Sequence, residues 1–405
     1  MTVSEHASAT ERGRQPDYSK ALILFSAMMM LDTLFATAAA PLVPKFADEY
    51  GLSKPEIGVF VAAHSGGALV GALIAAFAST RIGGRRLLLA GLLLSAATSF
   101  MFGFAETSWG LNAARFGHGI GSSLSWTAIL VWMTVLAPRA RLGWVIGVAW
   151  GANELGSVLG PLIGGTASRV GLMAPFVAIG VATLPLVIWV MSLANHTPAR
   201  SNYSLVAILR ATSSRRFAGA LWLASLPAFM LGTVGVLVPV QLDDLGWERF
   251  DIGLIYAVIG VAQIAISLVA GRLADRMSLV VPLRIGLVGG ALAATCLALP
   301  FSDEHWRLPL FLLAIFCAVA FLLAPGTVLV SKESEAAGIQ QGVAFSLANI
   351  SWAPGAIAGA LLGGAIATLA GDSAAFLTLM AVCLVTLVGL EHTRRHTRLA
   401  RLVPE

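Results

Sequence analysis

Three ionisable residues lie inside long apolar stretches of the 405-residue sequence: Asp32, Arg115 and Glu154. A charged side chain at the centre of a bilayer costs roughly 2.5–3.5 kcal/mol on insertion scales, so such residues are functional candidates by default. If each stretch is a helix that rises about 1.5 Å per residue, Asp32 and Glu154 lie about 17 Å from the same membrane surface. Arg115 lies about 21 Å from that surface. The three charges are therefore predicted to share one level.

Two carboxylates and one guanidinium carry one net negative charge, and this balance determines what the group can do. Arg115 can pair with one carboxylate while the other accepts a proton or a cationic ligand, so Asp32 or Glu154 can exchange a proton for a ligand. Each of the three residues also has a purely structural explanation. Asp32 can cap or pair locally, Glu154 can form a structural ion pair, and Arg115 can extend towards the membrane interface.

Two histidines, His64 and His118, also fall near the middle of apolar stretches and can relay protons, although each is equally well explained as a hydrogen-bonded packing residue. The second half of the sequence has no acid inside its apolar stretches. Its polar and aromatic candidates for a substrate cavity are Trp222, Tyr256, Gln263, Asn349 and Trp352. Core packing is the alternative for each. We expect proton chemistry in the first half, with Asp32 also contacting substrate.

The elements that carry these residues are predicted to be membrane-spanning helices. Hydrophobic residues make up 57% of the chain and charged residues 12%, against roughly 25% charged in a soluble domain. A span of a hydrocarbon core about 30 Å thick needs roughly 20 apolar residues. The predicted spans are 21–44, 56–79, 86–106, 109–137, 143–167, 172–194, 217–241, 252–273, 279–300, 308–330, 339–370 and 373–390. The fold class is therefore an all-α polytopic membrane protein.

The longest polar stretch, from about residue 196 to residue 216, divides the spans into six and six. We expect a tail over 1–20, a six-helix bundle over 21–194, a central loop over 195–216, a second bundle over 217–390 and a tail over 391–405. Twenty of the 26 Lys and Arg residues fall on the side of the amino terminus. Since basic loops stay in the cytoplasm, both termini and the central loop are predicted to be cytoplasmic, in a cell membrane. The basic excess reflects this bias and gives no reason to expect nucleic-acid binding.

Glycines recur at helical spacing in two of the predicted spans. The fifth span carries Gly156, Gly160 and Gly164, and the eleventh carries Gly355, Gly359 and Gly363. Glycine at every fourth residue leaves a smooth groove along one helix face, where a second helix can approach closely. Because the two spans are six apart, the glycines indicate an internal repeat of six helices.

The loop after the second span also recurs, after the eighth. The first copy contains Thr80, Arg81, Gly83 and Arg85, and the second contains Asp275 and Arg276. Both loops fall on the predicted cytoplasmic side.

These repeats, with Gly147, Gly156, Gly160, Pro161 and Gly164 in the fifth span, resemble the major facilitator superfamily and the glycine-proline motif of its antiporter branches. The segment from Asp32 to Pro44 is similar to the first helix of drug:proton antiporters and vesicular amine transporter relatives. Arg115 and the glycines after it resemble the companion motif of the fourth helix. The resemblance covers nearly the whole chain and implies two six-helix halves, with the first, fourth and fifth helices together around a central cavity.

The resemblance also implies roles. Thr80, Arg81, Gly83, Arg85, Asp275 and Arg276 match the cytoplasmic gating signature, except that Thr80 replaces the expected Asp. The implied function is a proton-coupled antiporter that exports a small lipophilic drug or metabolite by alternating access. Net negative charge at Asp32 and Glu154 favours a cationic or zwitterionic substrate. An uptake symporter of the same fold and a receptor or scaffold are the alternatives.

Other classes of protein lack their motifs in this sequence. None of the four lysines lies in the GxxxxGK[ST] motif of an ATP-driven pump, and HExxH, GxGD and GxSxG are absent. We expect no enzyme activity, no cofactor and no metal site, and we expect Cys296, Cys317 and Cys383 to be small buried hydrophobes. A cleaved signal peptide is disfavoured because the first apolar stretch is too long and contains Asp32. The expected partners are a small-molecule substrate, protons and the lipid bilayer, with the protein a monomer.

Overall fold

The computed structural model describes residues 18–136, 142–192, 214–299, 305–339 and 341–400. Within these ranges the chain is helical and contains no strand. The twelve long helices described, α1 to α12, are Tyr18–Thr37, Lys54–Ile82, Gly84–Gly103, Ser108–Leu136, Leu142–Val170, Met173–Ser192, Arg215–Asp244, Arg249–Arg276, Val280–Ala298, Arg307–Ala336, Gln341–Ala370 and Asp372–Ala400. The predicted all-α fold of about twelve helices is confirmed.

Ten stretches in the described ranges are long and apolar enough to cross a membrane, so the chain is a multi-pass membrane protein. Helices α4 and α5 are not among the ten. These two helices carry Arg115, His118 and Glu154, together with the glycines of the fifth span. Helices α4 and α5 therefore hold most of the candidate site.

The first predicted span, 21–44, lies within the apolar stretch Ser19–Tyr50, but it is not one continuous helix. Helix α1 ends at Thr37, and a 3-10 turn (Ala40–Leu42) and a short helix (Val43–Tyr50) follow. Proline has no backbone N–H and clashes with the preceding turn, so it is favoured in the first turn of a helix and interrupts the hydrogen bonding further in. Pro41 and Pro44 each lie in the first turn of one of these short elements, so the chain restarts where a continuous helix was predicted.

The predicted cytoplasmic loops are also shorter than expected. Helix α2 ends at Ile82 and α3 begins at Gly84, so only Gly83 separates them, with a φ of +79° that glycine adopts readily. Thr80 and Arg81 therefore lie in the last turn of α2, and Asp275 and Arg276 in the last turn of α8. The side chains of Thr80 and Asp275 are outside the described part of the structure.

Helix pairs recur between the two halves of the chain. Helix α1 packs on α5 as α7 packs on α11, and α2 packs on α4 as α8 packs on α10. The peripheral pairs α3–α6 and α9–α12 correspond in the same way. The predicted six-helix repeat is therefore present in the packing. We keep the domain boundaries, including the central loop over 195–216, as a proposal, since residues 193–213 lie outside the described ranges.

The glycine grooves form the closest of these contacts. A Cβ atom on Gly156 would lie 2.3 Å from the Met30 carbonyl oxygen, and one on Gly164 would lie 1.9 Å from the Ala38 carbonyl oxygen. In the second half, a Cβ on Gly359 would lie 2.1 Å from the Phe229 carbonyl oxygen. Side chains cannot approach this closely, so the α1–α5 and α7–α11 contacts require glycine, as predicted.

The two halves join at the end of the bundle that holds the α1–α2 and α7–α8 links, which we call the external end. There α2 packs on α11 and α5 packs on α8, and a Cβ on Gly253 would lie 2.4 Å from the Pro161 carbonyl oxygen. One hydrophobic core is shared by both halves at this end, with Phe46 and Ile57 from the first half and Leu242 from the second.

At the opposite end each half has a core of its own. Leu22, Trp132 and Val190 belong to the core of the first half, and a small cluster around Ala224 and Val330 belongs to the second. The described structure is therefore closed at the external end, and its halves are packed separately at the other.

Candidate functional site

Asp32 lies on α1 and faces α4, with 14% of its side chain exposed. Its Oδ2 atom accepts two hydrogen bonds, from Ser122 Oγ and from Trp126 Nε1, each of 2.8 Å. Its Oδ1 atom lies 3.8 Å from His118 Nδ1. His118, Ser122 and Trp126 are spaced four residues apart, so they form one face of α4. The predicted approach of the first and fourth helices around Asp32 is observed.

His118 is buried between two rings. Phe35 stacks on it, with 3.8 Å between ring centroids and 14° between planes. The His64 ring lies 5.6 Å away, on α2. The histidines meet because α2 and α4 touch through their backbones: a Cβ on Gly119 would lie 2.0 Å from the His64 carbonyl oxygen. The structure thus brings together Asp32, His118 and His64.

Arg115 does not pair with a carboxylate among the described residues, which corrects the predicted pairing. Its Nε atom donates to the Phe60 carbonyl oxygen at 3.0 Å, and its guanidinium carbon lies 4.7 Å from the centroid of the Phe60 ring. Its Nη1 atom is buried without a hydrogen-bond partner. Arg115 precedes His118 by three residues, so the charge lies next to the histidines and packs against α2.

Glu154 is partly buried on α5 and hydrogen-bonds with Asn153, whose side-chain oxygen accepts from Thr33 on α1. Among the described ion pairs, none joins Glu154 to Asp32 or Arg115. Trp150 lies one turn before Glu154, and its ring is 5.4 Å from the Trp126 ring at 58°. Helix α5 therefore places the Trp150 ring next to the indole that donates to Asp32, and it carries Glu154 one turn further along.

The candidates of the second half are not gathered at one place. Trp222 donates to Thr386 on α12 at 3.0 Å, and Tyr256 packs edge-on against Phe316 in the shared core. These contacts place both residues in helix packing within the second half, which is the alternative to lining a substrate cavity. Gln263 and Trp352 are partly buried, and the side chain of Asn349 lies outside the described part of the structure.

The gating and antiporter motifs are placed at different depths. Arg85 donates to the Met191 carbonyl oxygen and so ties α3 to α6, while Arg81 and Arg276 are exposed. In the antiporter motif, Gly160 packs against Thr37 on α1, whereas a Cβ on Gly147 would meet no atom of the described residues within 4 Å. The motif therefore has a packed segment near the external end and an open segment near the other.

A cavity of about 20 Å³ lies beside Asp32, between α1, α3, α4 and α6. This volume holds about one water molecule. Its polar lining residues are Asp32, Ser95, His118, Ser125, Trp126 and Thr183. No group of three or more potential metal ligands occurs among the described residues.

Three residues of this site were not predicted from the sequence: Ser122, Trp126 and Trp150. The spacing of His118, Ser122 and Trp126 along one helix face is a signal that was present in the sequence. For Trp150 the signal was its position one turn before Glu154. Both signals become specific only once the facing helix is known, because serine and tryptophan are common in membrane helices.

Comparison with known proteins gives a family. The family model of the Major Facilitator Superfamily matches residues 24–356 and, in a second match, residues 221–401. The chain is 23% identical to the uncharacterized MFS-type transporter YcaD of Escherichia fergusonii over 384 residues, covering 94% of this chain and 97% of the relative. It is 24% identical to the class H tetracycline resistance protein of Pasteurella multocida, covering 82% of this chain and 86% of the relative.

Solved structures show the same fold at low sequence identity. A mutant of the nucleoside transporter NupG superposes with a TM-score of 0.76 at 14% identity, covering 92% of this chain and 99% of that chain. The D-xylose-proton symporter superposes with a TM-score of 0.72 at 16% identity, covering 90% and 95%. A bacterial homologue of the human lysosomal transporter Spinster, in an inward-facing and occupied conformation, has a TM-score of 0.67 at 16% identity, covering 93% and 95%.

Proposed function

The chain belongs to the major facilitator superfamily, and from this premise we propose that it is a proton-coupled antiporter that exports a small lipophilic cation or zwitterion. Transport of a small molecule across the membrane follows from the family. The coupling to protons, the direction and the class of substrate are our proposal. The likeness to a tetracycline resistance protein supports it.

The observation that carries the proposal is the environment of Asp32. Its two hydrogen-bond donors, Ser122 and Trp126, are both neutral, and among the described residues only His118 lies within ion-pair distance. A carboxylate in a water-poor site without a fixed cation is stable when it is protonated or when it binds a cationic ligand. Because these two states exclude each other, ligand binding releases a proton, which is the elementary step of antiport.

Two indole rings beside Asp32 support a lipophilic cationic substrate. Trp126 donates to the Asp32 carboxylate, and its ring contacts the ring of Trp150. Trp150 is 39% exposed. Aromatic faces attract cations, and the attraction is stronger where water is excluded. A sugar would need many paired polar side chains, whereas the partly exposed residues near Asp32 are mostly apolar or aromatic. We propose Asp32, Trp126, Trp150 and Glu154 as the substrate site.

The closed external end supports an inward-facing state. If both termini are cytoplasmic, as the distribution of Lys and Arg predicts, the separated cores of the two halves face the cytoplasm. An exporter must load its substrate from that side. The open segment of the antiporter motif around Gly147 lies at the same end.

Proteoliposomes with an acidic lumen and a pH-sensitive dye inside test the coupling. We expect external tetraphenylphosphonium or tetracycline to raise the luminal pH through the wild type as the compound accumulates inside. Asp32→Asn should abolish this signal. Glu335→Gln, the same acid-to-amide change at an exposed position in the last turn of α10, is the matched control. If protons and compound move in the same direction, the protein is a symporter and the antiport proposal fails.

A further inference from the structure

Three buried polar atoms beside Asp32 have no hydrogen-bond partner in the described part of the protein. They are Asp32 Oδ1, His118 Nδ1 and Ser125 Oγ. All three residues line the cavity of about 20 Å³ between α1, α3, α4 and α6. Buried polar groups are nearly always hydrogen-bonded to protein or to ordered water, so this cluster calls for a partner.

The dimensions fit one water molecule. Asp32 Oδ1 and His118 Nδ1 lie 3.8 Å apart, which is too far for a direct hydrogen bond but allows one oxygen atom to lie at about 2.8 Å from both. A buried water needs two to four polar partners and roughly 10–15 Å³ of space. The cavity provides the space, and Asp32, His118 and Ser125 provide the partners.

We propose that this cavity binds one water molecule that bridges Asp32 and His118 and passes a proton between them. The inference deepens the proposed function, because it assigns the proton to one oxygen of Asp32 and names its acceptor. In the forward step the Oδ1–H bond of neutral Asp32 breaks as a new O–H bond forms on the water. The water in turn loses a proton to His118 Nδ1, which leaves an Asp32 carboxylate, an imidazolium and an unchanged water.

The two oxygens of Asp32 then have separate tasks. Oδ2 is held by Ser122 and Trp126 on the side of the proposed substrate site, and Oδ1 faces the water and His118. A cationic ligand can therefore approach one oxygen while the proton leaves from the other. Ligand binding and proton release can therefore both occur at the Asp32 carboxylate, each at a different oxygen.

The groups that face His118 determine how the imidazolium is tolerated. From α1 the facing charged group is Asp32, from α2 it is His64, and on α4 itself Arg115 lies one turn away. Helices α3 and α6 contribute the hydroxyls of Ser95 and Thr183 to the cavity. Arg115 opposes a second positive charge, so the imidazolium is a short-lived state and His118 a relay.

Infrared pH-difference spectra of the purified protein in lipid nanodiscs test the bridge without any substrate. The carboxylic-acid band of Asp32 is assigned as the band that Asp32→Asn removes. We expect His118→Gln to move the midpoint of that band by about one pH unit, a tenfold change in proton affinity, because the bridging water loses the imidazole nitrogen to which it passes the proton. Replacing water with H₂¹⁸O should shift an O–H band that is lost in both variants. His64→Gln is the control and should keep that band.

An Asp32 midpoint that is unchanged in His118→Gln, or the absence of any ¹⁸O-sensitive band shared by the two residues, would overturn the water bridge. If His118→Gln does not give a monodisperse protein, the same coupling is measured from the other side. The imidazole band of His118 is then followed in Asp32→Asn, where the loss of the acidic group at the other end of the bridge must change its frequency. Since no transported compound is used, this result is independent of whether the antiport proposal survives.

Discussion

At the scale of single residues, Arg115 shows how a correct candidate can have an unexpected partner. Its charge lies deep in the first half, as predicted, but its planar side chain lies over the Phe60 ring and donates to the Phe60 carbonyl oxygen. Both contacts depend on the flat guanidinium, so Arg115 holds α4 against α2. The negative charge of Asp32 is consequently not cancelled by a direct ion pair with Arg115.

We expect Arg115→Lys to lower the free energy of unfolding by about 1–3 kcal/mol, because lysine has no group at the position of Nε and a buried hydrogen bond is lost. Thermal unfolding of purified protein in detergent measures the change. Arg169→Lys is the matched control, since Arg169 also lies over a ring, that of Phe250, but half of its side chain is exposed. Equal unfolding temperatures for Arg115→Lys and the wild type would show that the contact with Phe60 contributes nothing.

At the scale of helices, the glycines of α5 and α11 form the close helix contacts that their spacing predicted. Gly156 and Gly160 lie against α1, Gly164 lies against the turn that follows α1, and Pro161 lies against α8 on another face. Helix α5 therefore connects the charged site to the second half, as α2 does through α11. The same motif contains its own control, because a Cβ on Gly147 would lie within 4 Å of no atom in the part of the chain that the structure describes.

We expect Gly164→Ala to destabilise the protein by about 1–3 kcal/mol, because the added methyl group would lie 1.9 Å from the Ala38 carbonyl oxygen and must push α1 away. Gly147→Ala should be neutral or slightly stabilising, because alanine favours helix and the site is open. Unfolding temperature and transport rate of both variants provide the measurement. Loss of stability in Gly147→Ala equal to that in Gly164→Ala would contradict the packing described for α5.

The number of helices and the six-helix repeat could be predicted from the sequence, because both depend on local composition and regular spacing. The bilayer imposes the length of each apolar stretch, and a glycine groove is visible without knowing its partner. The end of α1 at Thr37 was missed, although Pro41 and Pro44 gave the signal. The partners of Asp32 could not be derived, because they depend on which faces of α1 and α4 meet.

At the scale of the whole molecule, the two halves meet at the external end through packing and through ion pairs. Lys54 pairs with Asp372, Arg249 pairs with Asp48, and Arg169 pairs with Glu248. Ion pairs that are at least partly exposed contribute little each, typically 0–1 kcal/mol. Because breaking such pairs costs little free energy, they are compatible with an interface that must open in every transport cycle.

A cross-link across the external end should trap the described state. In a background without the native cysteines, we expect Lys54→Cys combined with Asp372→Cys to react with a short bifunctional reagent and to stop transport. Gly147→Cys with Gly271→Cys is the comparison, since a Cβ on either glycine would lie within 4 Å of no described atom in this state. That pair should react only when the opposite end closes. An unchanged transport rate in the protein cross-linked between positions 54 and 372 would show that the external end does not need to open.

Proton release from the purified protein tests the central claim most directly. In weakly buffered detergent solution with a pH-sensitive dye, we predict that tetraphenylphosphonium or tetracycline releases a proton from the wild type as it binds. The affinity for the lipophilic cation should rise with pH, because deprotonation of Asp32 creates its site. Asp32→Asn should release no proton, while Glu335→Gln should behave as the wild type. Undiminished proton release from Asp32→Asn, or tighter binding of an acidic compound at lower pH, would contradict proton exchange at Asp32.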